Sequence, residues 1–190
     1  MPDTLISRRG PAALLTGLAL VCALAPGMSR PAHARADAPL TVCPGHVEQS
    51  ISPGLTVLPR KQEVTVLGRF VPCAGRLLDP QHAAADFTAS ATGLLSCSLN
   101  VPITNAGGTV RWRDREGNDS GTSEFTGGMT LSQRPLGENV GIVLATIDSG
   151  EFAGRTLMLI SARLTIEPHR CLTTGIRNVA GPGSLEILPL

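Results

Sequence analysis

From Ala85 to Ile103 the chain alternates with a period of two. Ala85, Phe87, Ala89, Ala91, Leu95, Cys97, Leu99, Val101 and Ile103 share one parity, and Asp86, Thr88, Ser90, Thr92, Ser96, Ser98 and Asn100 take the other. Successive side chains of a strand point to opposite faces, whereas a helix repeats every 3.6 residues. The pattern therefore predicts a strand, or a strand bent near Gly93, with one face buried and one wet. The segment QEVTVLGRFVPC repeats it, with Val64, Val66 and Phe70 inward, Glu63, Thr65 and Arg69 outward, and Pro72 closing the run.

Val110 and Trp112 share a face opposite Arg111 and Arg113, and DREGNDSG follows them. Its Gly117-Asn118 and neighbouring acids favour turns, because they tolerate positive φ or bond their own backbone. Residues 108–132 are thus expected to form a hairpin. A second hairpin should join Val140–Ile147 to Thr156–Ile166 through SGEFAG, with Glu151 at its tip. In its return strand Met158, Ile160, Ala162, Leu164 and Ile166 form an apolar parity against Ser161, Arg163 and Thr165. A last strand, SLEIL, is expected after a Gly181-Pro182-Gly183 turn. Only DPQHAAADF offers a helical turn or two.

Seven or eight antiparallel strands separated by Gly, Pro and Asn turns predict a single all-β domain, a sandwich or a closed barrel. Its inward positions are mostly Ala, Val, Leu and Ile, since the chain has only four Phe, one Trp and no Tyr. Covalent bracing would supplement so light a core. Cys43, Cys73, Cys97 and Cys171 are spaced too widely for the short paired intervals of a zinc site, so two disulfides are expected and no metal or other cofactor. Cys43 and Cys73 lie equally far from position 58, between the SPGLT and PRK turn residues. This favours Cys43 with Cys73, and hence Cys97 with Cys171, among three connectivities.

The N-terminus changes the compartment. Arg8 and Arg9 precede an apolar segment from Ala12 to Ala25, and Ala32-His33-Ala34 follows, the pattern of a secretory signal peptide over residues 1–36 cleaved after Ala34 or Ala36. The apolar segment is shorter than the roughly 20 residues that span a bilayer. The exported domain, 37–190, is expected to be extracellular and to carry no membrane span. Cys22 follows Val21 inside that segment, where a lipid-anchoring site would want a small residue, so it is read as discarded. Removing residues 1–36 takes four arginines and one aspartate from 16 basic and 15 acidic side chains, leaving 12 against 14. Near neutrality argues against nucleic acid or an anionic membrane as partner, because phosphate binding needs concentrated positive charge.

Candidate chemistry is sparse. A G-x-S-x-G nucleophile elbow is absent. His46, His82 and His169 lie beside Pro or Gly and read as surface loop residues. His82 with Asp79 or Asp86 is the best acid–base pair, the basis of an alternative reading as a secreted hydrolase. Asp148 and Glu151 bracket a turn and could act as paired carboxylates, as in sugar hydrolysis, where two acids flank the scissile bond, but the stacking platforms such sites use are lacking. Arg111, Arg113 and Arg115 form a basic stripe suited to an acidic partner, opposed by Asp114, Glu116 and Asp119.

The ordered series Ser52-Pro53-Gly54-Leu55-Thr56, Leu95-Ser96-Cys97, Gly108-Thr109-Val110 before Trp112, Ser149 to Gly154, Cys171-Leu172-Thr173 and Gly181 to Leu185 resembles small secreted, cysteine-containing all-β proteins of actinobacteria. The resemblance covers nearly all of 41–188. It implies a shared exported β fold and no established activity, and it transfers no catalytic residue. The charged DREGND turn departs from the short W-N-x-G more usual in such proteins.

The expectation is an exported non-enzymatic β-domain that recognises an extracellular protein, an envelope polymer or a small apolar ligand. A second alternative, a secreted protease inhibitor, would present residues 74–82 after Cys73 as a rigid loop.

Overall fold

The structure, a computed structural model, describes residues 40–75, 80–97, 102–133, 139–163 and 168–189. The predicted signal segment, residues 1–36, therefore lies outside the described residues, as do Asp79, Leu99, Val101, Leu164 and Ile166.

The strands are β1 (Thr41–Leu55), β2 (Arg60–Phe70), β3 (Ala74–Gly75), β4 (Ala84–Leu95), β5 (Ile103–Arg113), β6 (Asp119–Gln133), β7 (Asn139–Gly150), β8 (Thr156–Arg163) and β9 (Ile176–Leu188). All pairings are antiparallel. They run β2-β4-β5-β6-β7-β8-β9-β1, and β1 pairs again with β2, so eight strands close into a barrel; β3 adds two residues to β1 beyond the end of β2. A barrel of eight strands has an interior just wide enough for side chains to fill. A 3-10 turn at Pro80–His82 and a short helix α1 (Pro168–Leu172) lie at opposite ends. No helix among the described residues is long and apolar enough to cross a membrane.

The period-two readings hold where one parity is clearly apolar. Ala85, Phe87, Ala89, Ala91 and Leu95 are buried, as are Val64, Val66, Phe70, Val110 and Trp112. Few rings suffice because they lie over glycines. A Cβ on Gly68 would stand 2.5 Å from Phe70 Cε2, and one on Gly45 would stand 2.6 Å from Phe70 Cδ1. Absent side chains on β1 and β2 thus give the Phe70 ring its place.

Three expectations are corrected. The alternation from Ala85 to Ile103 does not belong to one strand. β4 stops at Leu95, and Ile103 opens β5, so the shared parity arises from two strands that both face the core. In β8 the inward residues are Leu157, Leu159 and Ser161, not Met158 and Ile160. TLMLISA is apolar on both parities, and register with β7 decides: Leu157 and Leu159 stand opposite the buried Ala145 and Val143. Ser161 is accommodated inside by accepting from Gln49 Nε2 at 3.2 Å and donating to Gly141 O at 3.4 Å. Finally, Gly181-Pro182-Gly183 is no turn, because these residues continue β9 opposite Val47, His46 and Gly45 of β1. Pro182 sits just past the last β8–β9 pair, Ser161 with Gly183, where no ladder bond asks for its missing N–H.

Both favoured disulfides are present, Cys43–Cys73 and Cys97–Cys171. The first ties β1 to the segment after β2 across the predicted first hairpin. The second ties the segment after β4 to α1.

Candidate functional site

One end of the barrel, hereafter end A, gathers the turns after β2, β5 and β7 and the 3-10 turn. His82 is placed there by hydrogen bonds on either side: Ser120 Oγ donates to Gln81 O, and Ala83 N–H donates to Arg113 O at 2.8 Å. Its side chain turns inward and is only 7% exposed, so the reading of His82 as a surface loop residue is wrong. The imidazole meets Trp112 edge-on at 5.4 Å and Phe152 at 4.8 Å, and those two rings stand 5.0 Å apart. His82 Nε2 lies 3.3 Å from Glu151 Oε2, yet neither ring nitrogen makes a hydrogen bond of acceptable geometry.

The β7–β8 turn delivers both Glu151 and Phe152. Gly150 (φ 82°), Phe152 (φ 61°) and Gly154 (φ 82°) all occupy the left-handed region. For a phenylalanine that conformation is strained by about 1 kcal/mol or more. The turn nonetheless holds the ring against His82. Glu151 reaches the imidazole because Gly121 has no side chain; a Cβ there would stand 2.6 Å from Glu151 Cγ. Glu151 is thus a turn-tip residue, as its sequence context predicts, but with its carboxylate folded back onto a buried histidine. Asp148 is exposed on β7.

Neighbouring groups are committed. Trp112 Nε1–H donates to Ser123 Oγ at 2.9 Å, and that hydroxyl donates to Glu151 O at 2.6 Å. Ser123, fully buried, therefore has its proton engaged and is not offered to His82 as a nucleophile. Asp86 faces the other way. It accepts from Arg113 Nε at 2.7 Å and stands 3.5 Å from Arg69 Nε, so His82 and Asp86 are not brought together. No family model, curated protein or solved structure matches the chain. The site must be read from its geometry alone.

The basic stripe is partly neutralised. Arg113 engages Asp86, Asp119 and the carbonyl of Gly117, and its hydrogen bond to Asp86 pushes its pKa further upward. Arg111 stands 3.8 Å from Asp119. Among the described residues Arg115 has no ion-pair partner, and it lines a cleft of about 500 Å³ with Val71, Pro72, Ala83, Ala84 and Glu116. Val71 is 60% exposed. Of the loop 74–82, residues 76–79 lie outside the described residues. His46 and His169 are at the surface as expected, but on regular elements rather than loops: His46 lies within β1 and His169 in α1. Among the described residues no group of three His, Cys, Asp or Glu side chains gathers as metal ligands do.

Two features escaped the sequence reading, the inward turn of His82 and the apolar wall formed by Val71 with Ala83 and Ala84. A signal for the first existed in the pairing of a lone apolar-parity Trp with a Gly-flanked Phe152. Nothing local linked either to His82.

Proposed function

We propose that this chain is an exported, non-enzymatic β-barrel domain that works outside the cell by recognition through its outer surface. The observation that supports it best is the filled interior. Trp112, Phe70, Phe87, Phe125, Leu157, Leu159, Leu185 and Ile187 occupy it with at most 2% exposure. The clefts of about 440 to 530 Å³ all open outward. A ligand thus meets the surface first, and the end A cleft offers an apolar wall beside the unpaired Arg115 guanidinium. That combination suits a protein segment or envelope polymer that presents a carboxylate next to apolar groups.

Export is tested by sequencing the N-terminus of protein recovered from the medium, which should begin at Arg35 or Asp37. Recognition is tested by selecting acidic, apolar peptides on the wild type and rebinding them to Arg115→Glu, which should retain less than a tenth of them. The non-enzymatic reading is tested with ester, amide and glycoside substrates. Turnover that disappears in His82→Phe would show that the cluster is reactive and sink it.

A further inference from the structure

The near-neutral charge of the exported chain conceals an axial polarity. At end A, residues 69–75, 80–86, 111–119 and 148–156 carry six acids and five arginines, close to neutral. At the opposite end, end B, residues 55–62, 94–97 and 168–178 carry Arg60, Lys61, Arg170 and Arg177 and no acid. Among the described residues neither Lys61 nor Arg177 has an ion-pair partner. Glu63, an exposed acid on β2, shares an outward cleft with Arg177.

The same end collects apolar side chains that the fold leaves uncovered. Among the described residues seven large apolar side chains are exposed, and four of them, Val57, Leu58, Leu94 and Leu172, are at end B. Leu58 and Leu172 are each 76% exposed. They are not floppy tips. Val57 N–H donates to Cys171 O, Cys97 N–H donates to Thr56 O, and the Cys97–Cys171 disulfide locks the two segments together. Lys61 is paired with Leu94 in the β2–β4 ladder, which sets a cation beside an apolar side chain.

We infer that end B is a docking surface for an anionic lipid bilayer, with Leu58 and Leu172 entering the headgroup–acyl boundary and the surrounding cations meeting lipid phosphates. Aliphatic tips ringed by Lys and Arg are the arrangement that binds an interface by burial and charge together. Glu63, just beyond these segments, is outnumbered by their four cations, so the described surface of end B stays net positive. The barrel wall points to docking rather than spanning, because Glu63, Arg69, Thr88 and Ser90 face out on β2 and β4 and interrupt the outward apolar side chains, such as Leu144, Met158 and Ile160 on β7 and β8, so that no apolar band encircles it. This surface lies at the other end from the Arg115 cleft, so its failure leaves the recognition reading standing.

The test uses residues 37–190, which contain every described strand and both disulfides, sedimented with vesicles of equal parts phosphatidylglycerol and phosphatidylcholine or of phosphatidylcholine alone. The protein should partition to the anionic vesicles and be released by high salt. Leu58→Glu combined with Leu172→Glu should lower partitioning at least tenfold, and Lys61→Glu by roughly tenfold. Leu144→Glu, an exposed apolar position on the barrel wall, should change nothing. Leu58→Ser alone provides a milder reading if the double variant melts early. Equal binding to both vesicles, or tip variants that bind like the wild type, would overturn the inference. So would sedimentation without lipid that shows dimers dependent on Leu58 and Leu172, since the tips would then be an interface between copies.

Discussion

His82 poses a choice between two opposing energies. A carboxylate oxygen 3.3 Å away attracts its proton-bearing ring, while burial among Trp112 and Phe152 withholds water from both nitrogens. A buried polar group without a well-formed hydrogen bond costs about 1–3 kcal/mol, whereas a pair whose carboxylate is partly exposed returns little. Desolvation therefore wins, and His82→Phe, which keeps an aromatic ring between its neighbours, should raise stability by about 1 kcal/mol. Chemical denaturation measures this; a loss of that size would mean that Glu151 holds the histidine in place. Asp114 behaves oppositely. Asn118 donates to its carboxylate from Nδ2 at 3.0 Å and from its backbone N–H at 2.8 Å, which lowers the Asp114 pKa. A depressed folded pKa means that this contribution is present above the ordinary aspartate value of about 4 and is lost as pH falls through the lower folded value. In Asn118→Ala the fall in melting temperature below about pH 4 should be shallower than in the wild type.

Between strands, the seam of β1 and β2 is completed by a side chain. Backbone pairing stops at Ser52 with Glu63, and Gln62 takes over: its Oε1 accepts from Gly54 N–H at 3.0 Å and its Nε2 donates to Gly54 O at 2.8 Å. Gln62 is 1% exposed, so Gln62→Leu would strand a buried N–H and cost about 2–3 kcal/mol, a loss that thermal unfolding would register. Gln62→Glu keeps the acceptor and should cost less only if the acid is protonated. Nothing in QEVTVLGRF announces this role, because a polar residue on an apolar parity looks like a break in the strand. Alternation is legible where the outer face is polar, as in β2 and β4, and fails where it is not, as in β8. Turn chemistry was equally readable at Gly117-Asn118. It misled at Gly181-Pro182-Gly183, where small residues serve close strand contact instead of reversal. The His82 cluster was illegible because its members come from β5, the 3-10 turn and the β7–β8 turn, and no local pattern joins them.

Across the whole molecule the two disulfides act at opposite ends and in different surroundings. Cys43 and Cys73 are sealed, at 0% and 6% exposure, whereas Cys97 and Cys171 are only partly buried. Reduction requires a thiolate to reach a disulfide sulfur, so access sets the order in which the bonds open. A mild reductant should therefore yield a species with free Cys97 and Cys171 and an intact Cys43–Cys73 bond, identified by alkylation and peptide mapping. By loop length alone, bonds spanning 74 and 30 positions each contribute about 4 kcal/mol, so the melting temperature should fall on this first step. The barrel itself should persist, because its closure by β1 with β2 and by β9 with β1 involves none of the residues that are released. What changes is end B, where α1 loses its covalent tie to the segment after β4 and Leu172 its fixed position beside Val57. Selective reduction should thus weaken vesicle binding while leaving the far-ultraviolet circular dichroism unchanged. If alkylation instead captured Cys43 and Cys73 first, end A would have to open more readily than end B despite the burial of Cys43, Cys73 and His82 there.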